Sequence, residues 1–156
     1  MTGTFRPAQP QDTSMIQMLV SEVYGEYGLS LYLDEETHWV DPCTYFRTDG
    51  GEFWVFEVEG VVKGMGAVQL HEDESCELKC LYVHASVRGQ GVAPTLIQKA
   101  IEHAVAAGKT HMVMWSDTRF KTAHHLYRKL GFQQTGFRDC QDSNQSLEYG
   151  FERPIL

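Results

Sequence analysis

The chain of 156 residues lacks any apolar run long enough to cross a membrane, and its N-terminus lacks the apolar core of a signal peptide. It also lacks an excess of basic residues, because 13 lysines and arginines stand against 21 aspartates and glutamates, a formal charge of −8. Nucleic-acid binding needs a basic surface that neutralises phosphates, so no nucleic-acid partner is expected. We expect a cytoplasmic protein with no membrane partner.

Metal-binding spacings are absent as well. The four cysteines form no C-x-x-C pair and the seven histidines are scattered, so no metal site is expected. Cys76 and Cys80 lie four residues apart in a predicted strand, which would place them on one face of a sheet. We interpret all four cysteines as reduced thiols.

What remains is the composition of an ordinary soluble protein, with 42% apolar and 22% charged residues. A chain of this length can bury one sizeable core, and no internal repeat or linker-like stretch divides it. We therefore predict a single domain over residues 1–156.

The first third of the chain is the harder part to assign. A short strand is predicted over residues 4–6, and a helix then begins at Asp12 or Thr13 and ends near residues 25–28. Residues 31–46 hold an acidic cluster at residues 34–36 and predict a second, irregular helix.

The middle of the chain has clearer patterns. Three strands joined by short turns predict an antiparallel meander, over residues 53–58, 61–70 and 77–83. A long amphipathic helix over residues 92–107 then leads to a short buried strand over residues 112–115. A strand, a helix and a further strand in this order predict a parallel crossover.

A second helix and two closing strands complete the prediction. Ser116, Asp117 or Thr118 is expected to cap the helix, which ends at Gly131. The closing strands are predicted over residues 132–138 and 147–152.

One short segment carries a functional signal, residues 88–93, with the sequence Arg-Gly-Gln-Gly-Val-Ala. It lies between the third meander strand and the start of the long helix. Glycines at such a junction let main-chain N–H groups converge on an anion, and the helix N-terminus adds further free N–H groups. Arg88 adds a charged donor, so the segment predicts a pyrophosphate site.

Two better-known pyrophosphate loops do not fit this segment. A P-loop has a lysine and then serine or threonine after its second glycine, where this chain has Val92 and Ala93. A dinucleotide fingerprint has a third small residue three positions after the second glycine, where this chain has Pro94.

The pattern Arg-x-x-Gly-x-Ala after a strand resembles motif A of the GNAT superfamily of N-acetyltransferases, in which the loop binds the pyrophosphate of acetyl-coenzyme A. Residues 123–132, Ala-His-His-Leu-Tyr-Arg-Lys-Leu-Gly-Phe, resemble motif B of the same superfamily. The two motifs stand in the right order with one strand between them. The resemblance implies the α+β acyl-CoA N-acyltransferase fold, a mixed and mostly antiparallel sheet of six or seven strands. About four helices would flank the sheet, and a parallel strand pair would splay at its centre.

The same resemblance implies which residues bind acetyl-CoA. The backbone of the third meander strand would hold the pantetheine arm in the splay, through Leu81, Tyr82 and Val83. The loop and the helix start would bind the pyrophosphate, through Arg88, Gly89, Gln90, Gly91, Val92 and Ala93.

Acetylation of an amine requires two proton transfers. The amine must lose a proton in order to attack, and the coenzyme A thiolate gains one as it leaves. A lysine-like amine has a pKa of about 10.4, so supplying it neutral at pH 7 costs roughly 4.6 kcal/mol. By the resemblance, Tyr127 is the general acid that protonates the coenzyme A thiolate. Glu77, acting through water, is our first candidate for the general base, with His84 and water itself as alternatives. The acceptor is expected to be a primary amine of a small molecule or peptide that attacks acetyl-CoA directly.

One position departs from the family pattern. Many members carry an asparagine that helps to hold the coenzyme three residues before the alanine of motif B, and here that place is Phe120. Asp117, Thr118 and Arg119 are the candidates to replace it.

Other function classes stay open at this point. One is a non-catalytic acyl-CoA sensor on the same fold, and another is a protein-interaction module that uses the acidic surface. Acidic residues 34–36 and 72–74 are compatible with a cationic acceptor. A homodimer is also open, since dimers are frequent among similar proteins.

Overall fold

The structure is a computed structural model that describes residues 2–156. Its seven strands are Thr4–Pro7 (β1), Glu52–Val58 (β2), Val61–Leu70 (β3), Ser75–Val83 (β4), His111–Asp117 (β5), Gln133–Asp139 (β6) and Leu147–Pro154 (β7). They form one sheet in the order β1-β2-β3-β4-β5-β7-β6. Every neighbouring pair is antiparallel except β4 and β5, which are parallel.

Four α-helices lie on the two faces of this sheet: Thr13–Gly25 (α1), Pro42–Arg47 (α2), Val92–Ala106 (α3) and Lys121–Lys129 (α4). Side chains of α1 and α2 belong to one hydrophobic core, and those of α3 and α4 to a second core on the opposite face. The fold predicted from the two motifs is therefore confirmed. No helix within residues 2–156 has the length and apolar character that a bilayer crossing requires.

The parallel pair at the centre of the sheet is splayed, as expected. β4 and β5 are paired only at their starts, where Ser75, Cys76 and Glu77 lie beside residues 111–113. Beyond Glu77 the two strands diverge. The edge of β4 that faces β5 is consequently open over its last residues, and the candidate site lies in this gap.

A bulge in β4 overturns one detail of the sequence analysis. Between the rungs Ala67–Lys79 and Met65–Tyr82, two residues of β4 lie opposite one residue of β3, and Cys80 has a φ of 59°. The extra residue reverses the alternation of side chains along the strand. Cys76 therefore belongs to the core under α3, whereas Cys80 belongs to the core under α1, so the prediction of one shared face was wrong.

The predicted cap of α4 was also wrong. Phe120 occupies the N-cap position and makes no side-chain capping bond. Ser116 and Asp117 still belong to β5, because they pair with Tyr149 and Glu148 of β7. Pairing with a distant strand prevails here over a local capping preference.

The N-terminus of α3 lies very close to the sheet. A β-carbon on Gly64 of β3 would lie 2.9 Å from Cγ1 of Val92, the first residue of the helix. The absence of a side chain at this position lets the helix begin directly beside the open edge of β4. The predicted anion loop is thereby placed at the mouth of the splay.

Candidate active site

A cavity of about 360 Å³ lies between the end of β4, the start of α3 and α4, and we call it the loop cavity. Most of the residues predicted to bind the coenzyme line it: Leu81, Tyr82, Val83, Arg88, Gly89, Gly91, Val92 and Ala93. The remaining one, Gln90, is exposed and does not contribute to the wall.

The main chain of the loop is shaped for an anion. Gly89 and Gly91 have φ values of 77° and 80°, in the left-handed region that favours glycine. Gly91 is the N-cap of α3. Within the part of the chain that the structure describes, no protein acceptor receives a hydrogen bond from the main-chain N–H groups of residues 89–93. These donors and the positive end of the helix dipole are thus available to one anionic group.

Arg88 lies at this loop but is already paired. Its Nε donates to the carbonyl of Val83 at 2.9 Å, and its two terminal nitrogens donate to the carboxylate of Glu26 at 2.7 and 2.8 Å. The pair lowers the pKa of Glu26 and raises that of Arg88. A phosphate that binds Arg88 must therefore share the guanidinium with Glu26 or displace it.

Replacing Glu26 by glutamine should consequently tighten coenzyme A binding. An exposed ion pair is worth about 0.2–1 kcal/mol, so we expect the Kd to fall by up to about fivefold. Calorimetric titration with coenzyme A measures this change. Glu22→Gln is the matched control, because Glu22 pairs with His84 outside the cavity. An unchanged or higher Kd for Glu26→Gln would mean that Arg88 does not contribute to phosphate binding.

A second cavity of about 330 Å³ opens on the other side of the splay. We call it the acid cavity because many carboxylates line it: Glu35, Glu36, Glu77, Asp117, Asp142 and Glu148. The permanently cationic side chains on its wall are Lys79 and Arg138.

The two cavities meet at four shared residues, Leu81, Tyr82, Phe120 and Tyr127. Tyr127 is 6% exposed, and burial raises its pKa to about 12. Its phenol therefore stays protonated at neutral pH and can donate a proton at the junction.

Ser116 and His124 lie near Tyr127, an arrangement that the sequence did not predict. The hydroxyl of Ser116 lowers the pKa of Tyr127 and so partly offsets the rise that burial causes. Nε2 of His124 lies 3.0 Å from the oxygen of Ser116, and all three side chains are buried. A hydroxyl that lowers the pKa of a neighbouring phenol favours the phenolate left after proton donation.

Phe120 contributes an aromatic wall to the junction. Its ring packs against Tyr27 and Tyr82, with centroids 4.7 and 6.3 Å away. Neither Thr118 nor Arg119 lines a cavity, and Asp117 lines only the acid cavity. None of the three proposed substitutes for the family asparagine reaches the loop cavity.

Glu77 lies at the last rung of the parallel pair and lines the acid cavity. Its Oε1 is 3.3 Å from Nε2 of His71, whose Nδ1 is 2.9 Å from the oxygen of Ser75. The Ser75 hydroxyl donates to Asp73 at 2.6 Å, so Nδ1 of His71 must be the donor to Ser75. Nε2 of His71 is then free to exchange a proton with Glu77.

His84, the alternative base, is placed differently. Its Nδ1 accepts a hydrogen bond from the main chain of Ser86 at 3.0 Å, and its Nε2 lies 3.1 Å from Glu22. It lines neither cavity. The geometry favours Glu77 over His84.

The segment between α1 and α2 supplies residues that the sequence analysis missed. His38 and Trp39 line the acid cavity together with Glu36, and Tyr24, near the end of α1, lines it as well. The only sequence signal in this region was its cluster of acidic residues. Among residues 2–156, no group of three or more His, Cys, Asp or Glu side chains could hold a metal ion.

Residues 14–132 match the family model described as the acetyltransferase (GNAT) family. The chain belongs to the GNAT family. This result confirms the family that motifs A and B indicated.

Curated relatives of this GNAT protein agree with the assignment. The chain is 30% identical over 144 residues to the uncharacterised N-acetyltransferase YjgM of Escherichia coli, covering 84% of this chain and 86% of YjgM. It is 35% identical over 96 residues to human N-acetylaspartate synthetase, covering 61% of this chain. The matched region spans only 32% of that human protein.

Solved structures show the same fold. A GNAT acetyltransferase of Staphylococcus aureus superposes with a TM-score of 0.89 at 12% identity, over 99% of this chain and all of that one. The phosphinothricin acetyltransferase of Sinorhizobium meliloti, solved in complex with acetyl-CoA, superposes with a TM-score of 0.77 at 20% identity. The alignment covers 99% of this chain and 89% of that protein.

Proposed function

We propose that residues 1–156 form one N-acetyltransferase domain, which moves the acetyl group of acetyl-CoA to a primary amine of a small molecule or peptide. The observation that carries this proposal is the meeting of two cavities at Tyr127. One cavity has free main-chain donors for a diphosphate, and the other has carboxylates for an amine. A thioester held at their shared residues would be open to attack from the acid cavity.

The loop cavity would bind the coenzyme in two parts. The N–H groups of residues 89–93, with Arg88, would bind the pyrophosphate. The open edge of β4 at Leu81 would offer backbone groups with which the pantetheine arm can pair as an added strand would, and Tyr82 would contribute its side chain, because its main chain pairs with Met65 of β3. The carbonyl of Val83 already accepts from Arg88, so Val83 would contribute through its N–H group or its apolar side chain.

Two side chains would then handle the protons. Glu77 would accept, through a water molecule, the proton that the amine loses as its nitrogen attacks the acetyl carbon. His71 would pass this proton on, since its Nε2 faces Glu77 and its side chain is partly exposed. Tyr127 would donate its proton to the sulfur as the carbon–sulfur bond breaks, leaving free coenzyme A.

A panel of amines tests the proposal. Polyamines, amino acids, aminoglycosides and peptides with free N-termini are incubated with acetyl-CoA, and the release of free thiol is followed. We expect release that depends on both the amine and the protein. A folded protein that binds no acetyl-CoA by calorimetry would overturn the proposal.

The substitution Glu77→Gln should lower kcat by about 10²-fold or more at pH 7, because a general base typically contributes 10²–10⁴ in rate. The defect should shrink at pH 9, where a larger fraction of an amine with a pKa of about 10.4 is already neutral. Rates measured from pH 7 to pH 9 check both statements. Glu72→Gln is the control, since Glu72 is exposed and lines neither cavity. A defect of equal size at both pH values would argue against a base role.

A further inference from the structure

We propose that the acceptor is an amine with a second positive charge, and that the carboxylate of Glu36 binds this charge in the acid cavity. The inference rests on the acetyltransferase function proposed above and names the class of its acceptor.

Glu36 is held in a fixed position on the wall of the cavity. Its Oε1 accepts a hydrogen bond of 2.7 Å from the hydroxyl of Tyr24. Tyr24 is itself 6% exposed, and its ring packs edge-on against Tyr82 with centroids 5.8 Å apart. Because Tyr82 belongs to the junction of the two cavities, Glu36 is anchored close to the place of acetyl transfer.

In the part of the chain that the structure describes, the carboxylate of Glu36 has no positively charged partner. Within residues 2–156, no Lys, Arg or His nitrogen lies within 4 Å of it. Burial raises its pKa, and the negative charges of Asp142 and Glu148 raise it further. A partly buried carboxylate that is stabilised only by neutral donors gains most from a cation that a ligand brings.

Aromatic rings also line the acid cavity in which Glu36 lies. Trp39 and Phe120 line the cavity with Tyr82, and their ring centroids lie 5.9 and 6.3 Å from the centroid of Tyr82. Aromatic faces next to a carboxylate form the kind of site that binds organic ammonium groups by cation–π attraction.

The remaining charges of the cavity leave a negative excess. Glu148 pairs with Arg138 at 2.7 Å, Asp117 lies 3.6 Å from Arg119, and Glu77 faces His71. Glu35 and Asp142 accept only main-chain hydrogen bonds, from Ser143 and Ser146. Among the residues that the structure describes, three carboxylates, those of Glu35, Glu36 and Asp142, have no cationic partner, and Lys79 is the one ammonium on the cavity wall that opposes them.

Two carboxylates of the cavity therefore have different surroundings. Glu77 is on a strand at the floor of the splay, beside a histidine that can remove its proton. Glu36 is on a loop among aromatic rings, and no ion pair within residues 2–156 joins it to a histidine. Glu77 suits the amine that attacks the acetyl group, and Glu36 suits a second ammonium group that stays charged.

Three probes of matched length test this assignment: butylamine, 1,4-diaminobutane and 4-aminobutyrate. We expect wild-type kcat/KM for the diamine to exceed that for butylamine by about tenfold or more, since close charge pairs at interfaces couple by at least that factor. In Glu36→Gln the ratio of kcat/KM for the diamine to kcat/KM for butylamine should fall to about one. Tyr24→Phe, which only removes the hydroxyl that holds Glu36, should reduce the advantage in part.

Calorimetric binding of 1,4-diaminobutane in the presence of coenzyme A provides a readout independent of catalysis. The assignment is overturned if the diamine advantage survives in a folded Glu36→Gln protein, or if 4-aminobutyrate is the best of the three probes. The second result would mean that Lys79 selects a carboxylate. Diamine binding that is lost in Glu36→Gln, without turnover of any amine, would support the site and contradict the catalytic function.

Discussion

Replacing Tyr127 by phenylalanine should lower kcat by about 10²- to 10⁴-fold, the range that a positioned general acid contributes. The phenol lies at the junction of both cavities, and its raised pKa keeps the proton available at neutral pH. Its loss would leave the thiolate to depart unprotonated. The affinity for coenzyme A should change little, because the substitution leaves the loop of residues 88–93, where the pyrophosphate is proposed to bind, unchanged. Initial rates of thiol release and a calorimetric Kd measure the two quantities.

Tyr149→Phe is a matched control for this substitution. Tyr149 also contacts His124, with ring centroids 5.6 Å apart, but it lines neither cavity. We expect near wild-type rates from it. If the Tyr127→Phe protein kept the wild-type rate, Tyr127 would not be the general acid. A wild-type protein that bound acetyl-CoA but acetylated no amine, and in which Tyr127→Phe kept that binding, would instead favour an acyl-CoA sensor.

The loop of residues 88–93 is the part of the candidate site that local sequence can predict. The left-handed turns at Gly89 and Gly91 and the helix start at Val92 depend on residues that are neighbours in the chain. Glycine tolerates such backbone angles without a side chain, so the motif and its conformation coincide. The order of strands and helices around the loop also depends on residues that are neighbours in the chain, and it was predicted correctly.

The walls of the acid cavity could not be predicted in this way, because residues from distant parts of the chain form them. Asn144 accepts a hydrogen bond from the main chain of Ser30 at 3.0 Å and donates one back at 2.7 Å. The main chain of Ser143 donates to Glu35 at 2.8 Å. These contacts join segments more than 100 residues apart and position the loop that carries Glu36. No periodic pattern in residues 31–46 encodes them.

The two local errors have the same origin. The bulge at Cys80 reflects the pairing of β4 with β3, and the continuation of β5 through Asp117 reflects its pairing with β7. Side-chain alternation and capping preference are local rules, and tertiary pairing overrides both. The bulge matters for the site, because it reverses the direction of the side chains just before Tyr82 reaches the junction.

Replacing Gly91 by glutamate should weaken coenzyme A binding by about 10²-fold or more. The new carboxylate would stand at the N-terminus of α3, where the diphosphate is proposed to bind, and like charges in contact cost several kcal/mol. A β-carbon at this position meets no atom within 4 Å, so packing is preserved. The left-handed φ of 80° adds a strain of about 1–2 kcal/mol to the folded state.

Gly60→Glu separates this strain from the effect on binding. Gly60 has the same φ of 80° and the same open surroundings, but it lies in the turn between β2 and β3 and lines neither cavity. Both variants should lose a similar free energy of unfolding in urea titrations, and only Gly91→Glu should lose affinity in calorimetry. If the two variants bound coenzyme A equally well, the diphosphate would not lie on the main-chain amides of residues 89–93. The loop would then be a structural turn, and the acetyltransferase mechanism would need another anchor for its coenzyme.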